Sequence, residues 1–351
     1  MNMVKNPSAL YPQPGLVKWR VAALALIASI PLNITAPAQE RASSGTPTQQ
    51  QLVIIDTDIG DDIDDVLALG LALSSPELKV LGVTTAWGNT SLRARLVDRF
   101  LSDTGNVQIP VGVGIPKHKQ GEGAFSQARW AERGPDKQHQ AAVDFILQQI
   151  RLHPGEITLV ELGPMTNLGA ALESDPDTFR KLKRIVAMCG AVRKGYDRYG
   201  LLFDSPAPVP EYNIAMDIEA ARKVFESRVP LYVMPLDSTQ LKLDELKREQ
   251  LFAHGSAMTD DFTLLYHEWS AQTGQQTPTM FDVMAVAYAV DPNICPVTPV
   301  HLSVGLDGVT HEEAGKPNTW VCLHSSSDPF FQFYLGRILH WTEPGDPSSA
   351  K

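Results

Sequence analysis

Short apolar runs rich in β-branched residues alternate with amphipathic stretches along this chain of 351 residues. The apolar runs have the length of buried strands, and the amphipathic stretches have helical periodicity. Strands are predicted at Leu52–Ile55, Lys79–Thr85, Ile157–Leu162, Arg184–Met188 and Leu231–Met234. Helices are predicted at Val66–Leu73 and near Ser91–Leu101, Gln140–Arg151, Ile218–Glu226, Asp260–Gln272 and Asp282–Val290. This alternation predicts an α/β fold with an open, mostly parallel sheet flanked by helices on both faces.

The turn between the first strand and the first helix is unusually acidic. Its six aspartates are Asp56, Asp58, Asp61, Asp62, Asp64 and Asp65. In an open α/β sheet, ligands bind at the carboxyl ends of the strands, where this turn is expected. The helix N-terminus can stabilise one or two of these charges, which leaves the others repelling each other. A hard divalent cation, which prefers carboxylate oxygens, accounts for the whole set.

Two other acidic motifs begin in a similar way. An EF-hand loop needs Gly at its sixth position and Glu at its twelfth. Counted from Asp56, those positions hold Asp61 and Leu67, so the EF-hand is excluded. A phosphatase with an aspartate nucleophile also begins Asp-x-Asp after a strand, with Thr or Val expected two residues after the second Asp. This chain has Gly60 there, which makes the phosphatase a less favoured alternative.

The stretch Asp56-Thr57-Asp58-Ile59-Gly60 resembles the N-terminal signature of the nucleoside hydrolases, which cut the N-glycosidic bond of nucleosides. Their pattern is Asp-x-Asp-x-Gly, followed by an Asp-Asp pair that leads a helix. This chain has two extra residues after Gly60. The pair aligns with Asp64-Asp65 rather than Asp61-Asp62, because only the later pair is followed at once by a small apolar residue. The resemblance implies a Rossmann-like nucleoside hydrolase fold of the inosine/uridine-preferring type, and a homo-oligomer, either a dimer or a tetramer.

Four later motifs follow predicted strands and fit the same family in the same order. They are Gly88-Asn89, Leu162-Gly163, Glu211-Tyr212-Asn213 and Phe281-Asp282. The resemblance implies that Asn89 lies near the attacking water and the ribose, and that Glu211 and Asn213 hold ribose hydroxyls. Each motif taken alone also fits an ordinary turn or helix cap.

The resemblance also implies a Ca²⁺ cofactor, and it supplies the ligands. These are the carboxylates of Asp58, Asp65 and Asp282 together with the backbone carbonyl of Leu162. When bound, such a cation lowers the pKa of a water molecule and orients it. Asp58 is then both a ligand and the general base that takes the proton from this water.

The remaining acidic residues of the implied site contact the sugar or support the ligands. Asp64 is expected to accept a hydrogen bond from the 2′-hydroxyl, and Asp282 to contact the ribose as well as the metal. Asp56 supports the ligands from behind. Asp61 and Asp62 lie in the insertion and have no assigned role.

The chain departs from the family at the residue before Asp282. Many members have a histidine there that protonates the leaving base, and this chain has Phe281, which can only pack against a base. His118, His139 and His267 are alternative proton donors. Ser205 lies nearest to the place where the family has a further ribose-binding Asn. These departures keep open a second possibility, a non-catalytic nucleoside or sugar binder of the same fold.

The first fifty residues have the layout of a secretory signal. Lys5, Lys18 and Arg20 precede the apolar run 21–30, and a small-x-small cleavage site ends at Ala38. We therefore predict a signal peptide over residues 1–38, a disordered linker over 39–51 and a folded domain over 52–345. The protein is expected to be exported, to the periplasm or the medium, with an N-terminal membrane anchor as the alternative.

Charge, cysteines and one long segment give the remaining expectations. The net charge of −10 argues against nucleic acid, and against an anionic membrane beyond the export step, as a partner. A small nucleoside is the expected partner. The three cysteines show no metal spacing, and one disulfide is possible in an oxidising compartment. The segment 116–137 lacks periodicity and is predicted to be a functional lid.

Overall fold

The computed structural model describes residues 50–117, 124–197 and 207–345. The predicted signal peptide, the predicted linker up to residue 49, His118 and Ser205 lie outside these residues. The first strand begins at Gln51, one residue before the predicted start of that strand, and the amide of Gln51 donates to the carbonyl of Glu77 at 2.8 Å.

Ten strands form one sheet in the described residues. They are β1 (Gln51–Thr57), β2 (Leu78–Thr85), β3 (Val111–Val113), β4 (Gln140–Ala141), β5 (Thr158–Glu161), β6 (Arg184–Met188), β7 (Leu231–Met234), β8 (Thr298–Val304), β9 (Thr310–Glu313) and β10 (Thr319–Val321). The order across the sheet is β4-β3-β2-β1-β5-β6-β7-β10-β8-β9. All pairings from β4 to β10 are parallel, and only β10–β8 and β8–β9 are antiparallel. The predicted mostly parallel sheet is therefore confirmed.

The helices are α1 (Asp64–Leu73), α2 (Thr90–Asp103), α3 (Ala128–Ala131), α4 (Ala142–Leu152), α5 (Thr166–Ser174), α6 (Pro176–Phe179), α7 (Tyr212–Met216), α8 (Ile218–Glu226), α9 (Leu236–Thr239), α10 (Glu245–Phe252), α11 (Ala257–Thr273), α12 (Val283–Val290) and α13 (Ser327–Ile338). A short 3₁₀ turn covers Pro292–Ile294. The predictions for β6, β7 and α8 are confirmed to the residue.

Both faces of the sheet are covered, as the alternating side chains of β1 demonstrate. Val53 and Ile55 pack into a core with α1, α2, α11, α12 and α13, while Ile54 packs into a second core with α4, α5 and α8. Strand order reverses at β1, since β2 lies on one side of it and β5 on the other. The crevice at the carboxyl ends of β1 and β5 is thus the topological switch point, where such sheets bind ligands.

The sequence did not predict the antiparallel edge β10-β8-β9 or the helix α13. The predicted lid is also more ordered than expected, because its described part, 124–137, contains α3 and the buried side chains of Phe125 and Trp130. Cys295 and Cys322 form a disulfide with a Cα–Cα distance of 5.8 Å, and Cys189 is a buried free thiol. Within the described ranges, no helix is both long and apolar enough to cross a membrane.

Candidate metal centre and substrate cavity

The acidic turn lies at the switch point, between the end of β1 and the start of α1. Asp58 directly follows β1, and Asp64 and Asp65 form the first turn of α1, where the helix dipole favours negative charge. Asp282 lies at the N-terminal end of α12, a helix that is buried along its whole length. The backbone N–H of Asp282 donates to the Asp64 carboxylate at 2.9 Å, which ties the two helix starts together.

Three buried carboxylates converge at this point. Asp64, Asp65 and Asp282 each offer an oxygen, and these oxygens all lie within 4.8 Å of one another. A calcium ion with Ca–O distances of about 2.3–2.6 Å holds opposite ligands about 4.6–5.2 Å apart, so the spacing fits a divalent cation. The group that converges differs from the predicted set, because Asp64 stands in it and Asp58 does not.

The charges of these carboxylates are strongly destabilised by their surroundings. Burial raises the pKa of Asp65 to about 7, although the Thr57 hydroxyl donates to it. Burial and the neighbouring carboxylates also raise the pKa values of Asp58, Asp64 and Asp282 well above the usual range of an aspartate. A divalent cation would remove this repulsion and keep the acids ionised, so the donor set suits one.

Asp58 lies beside the end of β5, next to the predicted carbonyl ligand. A Cβ atom on Gly163 would come within 2.9 Å of the Asp58 amide nitrogen and 3.1 Å of its Oδ1, so only glycine allows this approach. Asp58 and Leu162 both line the cavity that contains the three converging carboxylates. That Asp58 also binds the cation stays a prediction.

Asp56 is buried inside the sheet, near the end of β1. Its buried carboxylate accepts hydrogen bonds from the Thr84 hydroxyl and from the Asn167 amide, the latter at 2.8 and 3.2 Å. Asn167 also donates to the carbonyl of Thr85 at 3.0 Å. Burial raises the pKa of Asp56 to about 6 against the effect of these donors. Asp56 therefore links β1, β2 and α5 behind the site.

The two predicted ribose-binding residues, Asn213 and Glu211, already make hydrogen bonds within the protein. The Asn213 amide donates to the carbonyls of Leu162 and Met188 at 2.8 and 2.9 Å. A carbonyl has two lone pairs, so Leu162 keeps one for a cation. Glu211 accepts from the backbone N–H groups of Gly190, Asn213 and Ile214 and caps α7. Both residues still line the cavity.

The cavity has a volume of about 410 Å³, which suits a small molecule. Its lining is partly acidic and partly aromatic. The aromatic lining residues are Tyr196, Tyr212, Trp269 and Phe281, and Thr273 and Gln275 add polar groups. The Phe281 ring meets the Tyr196 ring edge-on with centroids 6.2 Å apart. An acidic, cation-binding floor and an aromatic wall can hold a sugar and a planar base together.

Other predicted residues lie outside this cavity. Asn89 is exposed, and its side-chain oxygen accepts from the Leu92 amide at 3.1 Å as the cap of α2, so its predicted contact with the attacking water and the ribose stays a prediction. His139 pairs with Asp98 at 3.0 Å, and His267 contacts the Tyr266 ring. Among the described residues, no histidine lines the cavity.

Three residues at or behind the site received no role from the sequence. Arg93 and Asn167 are buried side chains that hold the acidic turn, and Trp269 lines the cavity from α11. Arg93 belongs to an amphipathic helix, where an arginine normally faces solvent. The one available signal was the position of Asn167 in Gly163-Pro164-Met165-Thr166-Asn167, which follows a strand of the predicted sheet.

The fold and this cavity define an α/β protein with an acidic cavity, of a size for a small molecule, at the switch point of its sheet. Comparison with known proteins gives the family. Residues 53–332 match the family model of the inosine-uridine preferring nucleoside hydrolases. The chain is 31% identical over 320 residues to the pyrimidine-specific ribonucleoside hydrolase RihA of Citrobacter koseri, covering 82% of this chain and 98% of that protein. An uncharacterized protein of Schizosaccharomyces pombe is 36% identical over 209 residues, 56% of this chain and 64% of that protein.

A solved structure agrees with these sequence matches. The plant nucleoside hydrolase PpNRh1 superposes with a TM-score of 0.71 at 25% identity, covering 83% of this chain and 99% of that one. The chain therefore belongs to the inosine-uridine preferring nucleoside hydrolase family. It is an N-glycosidase, and the family predicted from its motifs is confirmed.

Proposed function

We propose that this protein hydrolyses the N-glycosidic bond of ribonucleosides in a Ca²⁺-dependent reaction, with Asp58 as the general base. The observation that carries the proposal is the convergence of three buried carboxylates, within 4.8 Å, at the floor of a cavity with an aromatic wall. Asp64, Asp65, Asp282 and the Leu162 carbonyl would hold the cation, with Asp58 beside them. When bound, the cation lowers the pKa of a water molecule and orients it.

The residues of the chain then have separate tasks. Asp58 lines the cavity beside these ligands, where its carboxylate can accept the proton of the attacking water. The acidic floor favours the positive charge that develops on the sugar as the bond breaks. Asn213 and Glu211 shape the sugar side of the cavity.

The aromatic wall is the proposed place of the base. Phe281, Tyr196 and Trp269 supply flat apolar surfaces, and Thr273 and Gln275 add polar groups to the same lining. Phe281 cannot protonate the leaving base, so substrates whose bases leave readily are expected to react fastest. The name of the Citrobacter relative makes uridine and cytidine the first substrates to test.

The test is turnover by the purified protein, stripped of metal with EDTA and then supplied with Ca²⁺ or Mg²⁺. Uridine, cytidine, inosine and p-nitrophenyl riboside form the panel, and released base or nitrophenol is measured. We expect turnover that depends on Ca²⁺ and that falls about 10³-fold or more in Asp58→Asn, as expected for loss of a general base. No turnover of any substrate with Ca²⁺ present would overturn the proposal.

We also propose that the protein is exported, as the N-terminal sequence predicts. The Cys295–Cys322 disulfide supports this, because structural disulfides persist in oxidising compartments. Fractionation of cells that produce the full chain should place the processed protein outside the cytoplasm. Unprocessed protein in the cytoplasm would contradict export.

A further inference from the structure

The acidic turn is held by an arginine that no part of the reaction uses. Arg93 lies on α2 with a side chain that is only 2% exposed, and its guanidinium reaches under the turn. It donates to the carbonyls of Asp58 and Ile59, the latter at 2.8 Å, and to the carbonyl of Trp87 at 2.9 Å. It also pairs with the Asp61 carboxylate at 2.5 Å.

We propose that Arg93 is a positioning residue that fixes the acidic turn so that its carboxylates converge on a cation. The inference rests on the proposed function, and it gives the two-residue insertion a role, since Asp61 is the insertion residue that Arg93 binds. The planar guanidinium presents five donors in a fixed fork, so one side chain can hold three carbonyls and a carboxylate at once.

A second set of contacts fixes the other half of the turn. The Ser126 hydroxyl donates to the carbonyls of Gly60 and Asp61 at 3.0 and 2.7 Å. Gln127 donates its backbone N–H to Gly60 at 3.1 Å and its side-chain amide to the carbonyl of Asp62 at 3.0 Å. Arg93, Ser126 and Gln127 together therefore bind every backbone carbonyl from residue 58 to residue 62.

This arrangement decides which groups of the turn can face the cation. With all five carbonyls held by Arg93 and the 126–127 segment, the backbone of the turn is fixed while Asp58, Asp61 and Asp62 line the cavity. Phe125 packs between the two supports, since its ring lies 4.8 Å from the Arg93 guanidinium carbon and against Gly60. A longer turn has more conformations to lose, and these contacts restrict them.

The charge and the geometry of Arg93 predict opposite effects on cation binding. A positive charge beside the site repels a divalent cation, so its removal alone would raise the affinity. Loss of the fixed geometry would lower it, and altered supporting contacts typically cost about 10–100-fold in metal affinity. Whether the Ca²⁺ affinity of an Arg93 variant rises or falls therefore shows whether the charge or the fixed geometry of Arg93 has the larger effect.

The experiment compares Arg93→Met and Arg93→Lys with Arg248→Met by calorimetric Ca²⁺ titration of the full chain. Arg248 is the matched control, a buried arginine that donates to the Leu243 carbonyl at 2.7 Å and has no contact with the turn. We expect a roughly 10–100-fold loss of affinity in both Arg93 variants, because lysine keeps the charge but lacks the fork, and less than a twofold change in the control. Ser126→Ala, a milder change, should lose about 10-fold, the lower end of that range, and covers the case in which Arg93→Met does not fold.

Amide hydrogen exchange over residues 58–65 is the second readout, and it needs neither cation nor turnover. Exchange there should rise in Arg93→Met and Ser126→Ala and stay unchanged in Arg248→Met. Unchanged or higher Ca²⁺ affinity in Arg93→Met, wild-type affinity in Arg93→Lys, or unchanged exchange would each overturn the inference. A wild-type protein without Ca²⁺ binding or turnover would instead overturn the proposed function, and exchange alone would then decide the role of Arg93.

Discussion

Replacing Asp65 by Asn should make the cation-free protein more stable. Asp65 is buried among other carboxylates, and its pKa in the folded protein is raised to about 7. Asparagine has nearly the same shape and keeps an acceptor for the Thr57 hydroxyl that now donates to Asp65. The substitution therefore removes the charge and leaves the packing in place.

The magnitude follows from the two pKa values. An acid whose pKa is raised in the folded protein binds its proton more tightly there than in the unfolded chain. Proton binding therefore adds to the free energy of unfolding, and this contribution is fully present below pH 3.8. The contribution is lost as the pH rises from 3.8 to about 7 and does not return above that. At about 1.4 kcal/mol for each tenfold change in proton affinity, the loss is at most roughly 4 kcal/mol. That corresponds to at most about 8–16 °C in Tm for a domain of this size.

The assay is thermal unfolding in EDTA and in Ca²⁺, from pH 4 to pH 8. In EDTA at pH 8, Asp65→Asn should melt several degrees above the wild type, and the difference should vanish towards pH 4. Ca²⁺ at a hundred times its Kd should stabilise the wild type by about 2.7 kcal/mol and the variant far less. Two results would refute this prediction. One is an Asp65→Asn variant that melts below the wild type in EDTA at pH 8, and the other is a variant that Ca²⁺ stabilises as much as it stabilises the wild type.

Three further substitutions test other parts of the site. Gly163→Ala places a Cβ atom within 2.9 Å of the Asp58 amide nitrogen. We expect a stability loss of about 1–3 kcal/mol in urea unfolding and a large fall in kcat. Normal kinetics would contradict the close approach. Phe281→His supplies a proton donor beside the base. It should raise kcat about 10²-fold for nucleosides whose bases leave poorly, with little change for p-nitrophenyl riboside. Equal effects on the nucleosides and on p-nitrophenyl riboside would argue against acid assistance. Asn167→Ala leaves the buried Asp56 carboxylate without its amide donor and should cost about 1–3 kcal/mol in urea unfolding, where an unchanged midpoint would contradict the supporting role.

The parts of the fold that the sequence predicted are those with strong local signals. Arg184–Met188 is an apolar run that follows Lys183, and Leu231–Met234 lies between two prolines; both form strands with the predicted bounds. The strand Thr310–Glu313 has the sequence Thr-His-Glu-Glu, which carries no apolar alternation, so only its pairing with β8 makes it a strand. Local propensity cannot predict an element that tertiary pairing creates.

The residues of the site also divide into those that the sequence could predict and those that it could not. Asp64, Asp65 and Asp282 could be placed at the site through the resemblance to the family, and the structure shows that each lies at the start of a helix; the resemblance made Asp64 a ribose contact rather than a ligand. The role of Arg93 could not be predicted, because the sequence does not reveal that the lengthened turn covers its side chain. Asn89 is predicted both as a turn residue and as a contact of the attacking water; the structure shows its contact with the Leu92 amide, and its role in the reaction stays a prediction.

A crystal structure of the protein grown with Ca²⁺, with the ion located by anomalous scattering, is the most direct test of the metal centre. The account predicts one peak about 2.3–2.6 Å from oxygens of Asp64, Asp65 and Asp282, inside the cavity lined by Phe281. The same map would determine whether Asp58 is a ligand. The absence of a peak among these carboxylates at saturating Ca²⁺, or a peak elsewhere on the protein alone, would contradict the account.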